Sequence, residues 1–184
     1  DSVYDLTGVQ YFSSLKTLDC GNSIYMITPN RLTSLPVLPL TLDTLICGRN
    51  LVDSLPVLPP ALRFLKCYEN PLHALPLLPN TLTYIECYSD LLSNLPKLPD
   101  SLYYLYCSFN ALDSLPTLPN QLQYLYCHSD SLTVIPVLPN SLAVLNCGNN
   151  RRANLPALLG VLSYLECSSN YFKYLTSLLS SLTS

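Results

Sequence analysis

The sequence predicts a solenoid in which short parallel β-strands line a concave face, while extended, polyproline-like segments with few or no helices return along the convex face. Three observations predict it. Cysteines stand at 47, 67, 87, 107, 127, 147 and 167, a period of 20 residues without insertion, and such a period marks units that bury their apolar faces only against their neighbours. Before each cysteine, apolar and outward positions alternate with period two, as a strand with one buried face requires. After it come two prolines three residues apart, such as Pro116 and Pro119. These remove backbone donors and fix φ near the polyproline value, so the return path is no α-helix.

Taken in order, residues 1–14 read as an N-terminal cap or partial repeat and 15–34 as a longer first repeat, whose strand runs from Leu15 to Cys20. Residues 35–174 read as seven 20-residue repeats and 175–184 as a degenerate or truncated terminal one. The closing text "LTSLLSSLTS" follows the return phrase with its prolines lost; it is either a worn terminal repeat or a point from which the native chain continues. The chain opens on Asp1 rather than methionine, which points to a processed or trimmed product, and no signal-peptide pattern is read in it. Eight strands at about 4.8 Å spacing give a sheet roughly 35 to 40 Å long.

Within a unit the strand sorts its side chains. In "SLYYLYCSFN", residues 101 to 110, Leu102, Leu105 and Cys107 are expected to point inward, and Tyr104, Tyr106 and Ser108 outward. Leu115 and Leu118 of the return path then close the other side of the core. This arrangement keeps the phenolic hydroxyls, which would need partners if buried, at the surface.

Each unit spells L-x-x-L-x-C-x-x-N-x-L, in the central one Leu102, Leu105, Cys107, Asn110 and Leu112, followed by L-P-x-L-P at Leu115, Pro116, Leu118 and Pro119. The pattern resembles the leucine-rich repeat over about residues 6 to 184. Its proline-containing phrase resembles the short bacterial subclass found in type III secreted effectors. The cysteine in the third apolar slot and the opening "LTGVQYFSSLKTLDCGNS" are more similar to repeat proteins that bacteria export to their surface. The resemblance implies a leucine-rich repeat solenoid from a secreted or surface-exposed protein, or alternatively an effector delivered to the host cytoplasm. It also implies an inward asparagine at the end of each strand, bonded to backbone groups of adjacent turns. Asn30, Asn50, Asn70, Asn110, Asn150 and Asn170 fit that place. Asp90 and Asp130 occupy it as carboxylates, which accept but do not donate. They are expected to take backbone N–H bonds, helped by Ser89 and Ser129; a calcium site finds no supporting cluster of carboxylates.

Composition narrows the function. Charged residues are 11% of the chain against about 25% in ordinary domains, so Ser, Thr, Asn, Gln and Tyr make much of the surface. A net charge of −3 disfavours nucleic acid. No apolar run is long enough for membrane insertion as a spanning helix. All eight cysteines take the same inward slot, where neighbouring side chains run parallel, a poor geometry for disulfides, and no C-x-x-C pair suggests a metal. Buried thiols serving as small apolar groups are expected. The resemblance extends to effector ubiquitin ligases, which carry a separate domain with a catalytic cysteine, but here every cysteine belongs to a repeat. His73 falls on the return side and His128 on the displayed face, without a relay set. The expectation is a protein that is no enzyme and needs no cofactor.

The displayed face remains. The position before the second strand leucine carries Phe64, Tyr84, Tyr104, Tyr124 and Tyr164; the one after it Lys66, Glu86, Tyr106 and Tyr126; the next Tyr68, Tyr88 and His128. These twelve form the candidate binding site. Cross-strand aromatic pairs stabilise a sheet by about 0.2 to 1 kcal/mol each, which supplies a purely structural account. Their concentration between residues 64 and 128, with Gly48, Gly148 and Ser168 toward the ends, favours recognition instead, because tyrosine offers rigid, amphipathic contact area. The reading is a non-enzymatic protein-binding module recognising a host or other extracellular macromolecule. Carbohydrate binding by the aromatic stripe and a structural spacer or assembly role stay open as alternatives. The sequence sets no oligomeric state.

Overall fold

The computed structural model describes residues 3–22, 30–151 and 161–171. Eight three-residue strands follow one another: β1 Thr17–Asp19, β2 Thr44–Ile46, β3 Phe64–Lys66, β4 Tyr84–Glu86, β5 Tyr104–Tyr106, β6 Tyr124–Tyr126, β7 Val144–Asn146 and β8 Tyr164–Glu166. They form a single parallel sheet in sequence order. Register is uniform from β2 onward, each residue pairing with the one 20 places later, as Leu105 does with Leu125. Between β1 and β2 the step is 27, Thr17 pairing with Thr44. The helical content among the described residues is one 3-10 turn, Val9–Tyr11. The prolines of the return phrase account for the scarcity. The segment 175–184, read as a degenerate or truncated terminal repeat, lies outside the described residues.

The core is two columns of the same side chains. Leu102, Leu105 and Cys107 of the strand side are fully buried, as are their counterparts in neighbouring turns, and Leu112, Leu115 and Leu118 close on them from the return side. Strand–strand bonds continue past the strand ends, with Cys107 N donating to Tyr126 O at 2.9 Å and Phe109 N to His128 O at 3.0 Å. On the return path bonds such as Ala111 N to Leu92 O at 2.9 Å join successive turns. Pro71 has no N–H to give there.

Each strand from β2 to β8 leaves through a left-handed residue: Arg49, Glu69, Ser89, Phe109, Ser129, Asn149 and Ser169, all with φ between 49° and 60°. Side chains with a Cβ resist this conformation, so something must hold the turn. The next residue does. Asn70 donates Nδ2 to Cys47 O at 3.1 Å and to Cys67 O at 2.8 Å, and its Oδ1 accepts Val52 N at 3.0 Å. Asn50, Asn110 and Asn150 repeat the pattern. Asn30 and Asn170 likewise donate to cysteine carbonyls. Buried backbone groups that the sheet does not pair are thereby satisfied.

Candidate functional site

The outward strand residues come together as one connected aromatic surface. Consecutive strands hold the rings of Tyr84 and Tyr104 4.3 Å apart and within 4° of parallel. Tyr68 and Tyr88 stack in the same way at 4.6 Å and 4°. Tyr88 continues onto Tyr106 at 4.4 Å, and Phe64 leans on Tyr84 at 6.0 Å. Tyr104 then meets Tyr124 and Tyr126, and Tyr106 meets Tyr126 and His128. The cause is metric: strands about 4.8 Å apart in exact register bring identical rings to stacking distance. Because stacked rings cover each other's facing sides, the pairs leave mainly ring edges open to contact.

Charged groups sit inside this surface as pairs. Glu86 accepts the Tyr84 hydroxyl and lies 3.4 Å from Lys66 Nζ, which itself sits 5.1 Å from the Tyr84 ring centre. Arg49 pairs with Glu69 at 2.8 Å, and the Arg63 guanidinium lies 5.8 Å from the Phe64 ring centre. Burial pushes the Tyr104 phenol up to about 12. Tyr84 rises further, through burial and then its bond to Glu86. Burial also raises Tyr88 and lowers His128. The middle of the face therefore offers neutral hydroxyls and a neutral imidazole near pH 7.

Of the twelve candidate residues, Phe64, Tyr68, Tyr84, Tyr88, Tyr104, Tyr106, Tyr124, Tyr126 and His128 join the ring network, and Lys66 and Glu86 lie among them. Tyr164 stands apart on β8, exposed, with Val144 on the strand between it and Tyr124. Ser108 differs from the alternation. It is completely buried, and its Oγ accepts His128 N at 3.0 Å. Its equivalents Tyr68, Tyr88 and His128 all join the outward ring network, so Ser108 is buried because it is small and covered from the next repeat, not because it faces the core. Gly48 obeys the same rule, since a Cβ there would come within 2.7 Å of the Tyr68 ring. Small residues at 48 and 108 thus make room for Tyr68 and His128.

Two aromatics were not legible as part of the face. Tyr103, just before β5, packs its ring 5.2 Å from Tyr124. Phe109 meets His128 edge-on at 4.8 Å and is half exposed while occupying a left-handed turn. A bulky side chain held at positive φ on the rim of the aromatic face becomes a signal only once the turn is known to be left-handed.

The thiols behind this face are not poised for nucleophilic chemistry: burial pushes Cys67, Cys87 and Cys107 well above the ordinary thiol range. Among the described residues no three His, Cys, Asp or Glu side chains gather as a metal site. No helix among them is long and apolar enough to cross a membrane.

No protein-family model matches the chain, and no curated protein matches it. Solved structures do. YopM from Yersinia enterocolitica superposes with a TM-score of 0.81 and 38% identity over 86% of this chain. The chain is a leucine-rich repeat solenoid. It spans 34% of that YopM. A Shigella effector leucine-rich repeat domain matches at TM-score 0.62 and 31% identity, over 76% of this chain and 66% of its own. The functional domain of InlJ from Listeria monocytogenes, which includes a cysteine ladder, matches at 0.64 and 25% identity over 95% of this chain and 44% of its own. The column of cysteines from Cys20 to Cys167 is this leucine-rich repeat chain's counterpart of such a ladder. These neighbours are bacterial leucine-rich repeat proteins, two of the kinds named being effectors, and they support a protein-interaction module.

Proposed function

We propose that the chain is a non-enzymatic protein-binding module of a bacterial secreted or surface protein, and that it recognises a host or other extracellular macromolecule through the tyrosine-rich concave face. The observation that carries this reading is the stacked ladder from Tyr68 and Tyr84 to Tyr126 and His128. Its rings are packed against one another in the unbound chain, so binding immobilises few rotamers, and ring edges interspersed with polar groups suit a polar, irregular protein surface. A sugar instead stacks on an open ring face, which in these pairs the neighbouring ring covers. Delivery to the host cytoplasm remains the alternative location, since effectors are among the structural neighbours.

Capture from host serum and cell lysate tests the proposal, comparing the native chain with Tyr84→Ser, Tyr104→Ser, Tyr106→Ser and Tyr124→Ser combined. A convex control, Val57→Ser with Leu77→Ser, alters two residues that are 88% and 89% exposed on the opposite side. A protein retained by the native chain and the control, but lost by the tyrosine variant, is the expected result. Retention by all three removes the concave face from the account, and release by free sugars moves it to glycan binding.

A further inference from the structure

The asparagine column has a periodic gap in its donors. Cys20 O receives two side-chain amides, from Asn30 and Asn50. Cys47 O also receives two, from Asn50 and Asn70. Cys67 O and Cys87 O flank Asp90, and each receives one, from Asn70 and Asn110 respectively. Cys107 O, beside Asp130, receives Asn110. The aspartates fill the acceptor half of the asparagine role: Asp90 Oδ1 takes Asn70 N at 2.7 Å, and Asp130 Oδ1 takes Asn110 N at 3.0 Å and Leu112 N at 3.3 Å. With Oδ1 in the asparagine acceptor role, Oδ2 takes the branch of the side chain that in asparagine is the amide nitrogen. Both Oδ2 atoms are buried without a hydrogen-bond partner. An ionised oxygen there would face carbonyl oxygens in a desolvated place, an arrangement that is repulsive and costly.

We propose that Asp90 and Asp130 are neutral carboxylic acids in the folded chain, each donating its Oδ2 proton to a strand-end carbonyl in place of an asparagine amide, so that the middle turns are held by protons and weaken as the pH rises.

Burial raises Asp90 to about 8 and Asp130 to about 7, from 3.8. The ionisable groups around Asp90 are the thiols of Cys47, Cys67 and Cys87 and the carboxylate of Glu69. Around Asp130 they include the thiols of Cys87 and Cys107. None of them supplies a positive charge that would hold a carboxylate ionised. A carboxyl whose folded value lies above its unfolded one binds more protons when folded. Its contribution is complete below about pH 4 and is lost between there and the folded values near 7 and 8. His128 runs the other way: its lowered value favours the folded state as pH rises. The two effects are therefore separable by sign.

Urea melts of the full chain between pH 5 and 8 test this, with Asp90→Asn, Asp130→Asn and the double variant beside the native chain. For the native chain the folding equilibrium constant should fall with pH by about tenfold per unit for each aspartate still protonated when folded. Each asparagine restores the repeat's own residue, so the variants fold; they should match or exceed the native stability at pH 8, and the double variant should have lost the downward slope. A flat native profile, or a slope the double variant keeps, overturns the proposal. Carbon-13 resonances of the two carboxyl groups give a second reading. Midpoints above pH 6 are expected, while midpoints below pH 5 show ordinary carboxylates. A melt that calcium raises and a chelator lowers shows that a cation, not a proton, joins Oδ2 to the carbonyls.

Discussion

Leu105 and Tyr106 are adjacent in one strand, yet they belong to two ladders that obey different rules. The inward ladder repeats almost the same residues in every described turn, Leu, Leu or Ile, and Cys, each fully buried from Leu45 to Cys147. The outward ladder changes along the solenoid: Thr44, Phe64, Tyr84, Tyr104, Tyr124 and Val144 occupy one equivalent position. A solenoid needs the first ladder to be uniform, because each unit's core is completed by the next. Nothing in the packing requires the second ladder to be continuously aromatic from Phe64 to Tyr124 and interrupted at Thr44 and Val144. The inward ladder supplies stability, and the outward one carries what is particular to this chain.

The largest expected effect comes from exchanging their chemistries. Cys107→Asp places a carboxylate in a fully buried slot bordered by Cys87 and Cys127 of the neighbouring turns, and the cost, roughly 3 to 5 kcal/mol or more, should unfold the middle repeats. Tyr106→Ser removes two ring contacts to tyrosines and one to His128, at about 1 to 2 kcal/mol, and should leave the fold in place. Urea melts of the two variants decide the matter; equal loss would mean that the outward ladder is as much a part of the core as the inward one.

The inward ladder was legible because a period of two within a period of 20 leaves a single way to bury Leu102, Leu105 and Cys107 together, and the proline phrase excludes a helix on the return. The outward ladder was legible only as a set of positions. That Tyr84 and Tyr104 stack while Tyr104 and Tyr124 tilt depends on side-chain rotation, which register alone does not settle. Ser108 and Gly48 escaped because alternation tells which way a position faces but not that a small residue there is covered by its neighbour in the next repeat. Asp90 and Asp130 were recognised as acceptors, which they are, but Ser129 turns its hydroxyl to His128 Nδ1 and Asn149 rather than to the carboxylate.

A smaller substitution probes the border between the ladders. Gly48→Ala adds a Cβ within 2.9 Å of three atoms of the Tyr68 ring. The ring must swing, and with it the stack on Tyr88. Destabilisation of about 1 kcal/mol is expected, together with a change in the aromatic near-ultraviolet circular dichroism. Unchanged dichroism would show that the first stack tolerates an opening at its edge, and that the ordered surface begins at Tyr84 rather than at Tyr68.

The smallest expected effect should have the opposite sign. Phe109 holds φ at 57° and is half exposed, so its ring recovers little burial to offset a conformation that a Cβ disfavours. Phe109→Gly relieves that strain at the expense of the edge-on contact with His128, and a gain of a few tenths to about 1 kcal/mol in urea melts is expected. If the same variant weakens partner capture, the strained turn serves recognition and the proposed face extends to its rim. If Phe109→Gly destabilises instead, the Phe109–His128 contact is worth more than the turn costs, and the rim of the face is held by packing in the same way as the core beneath it.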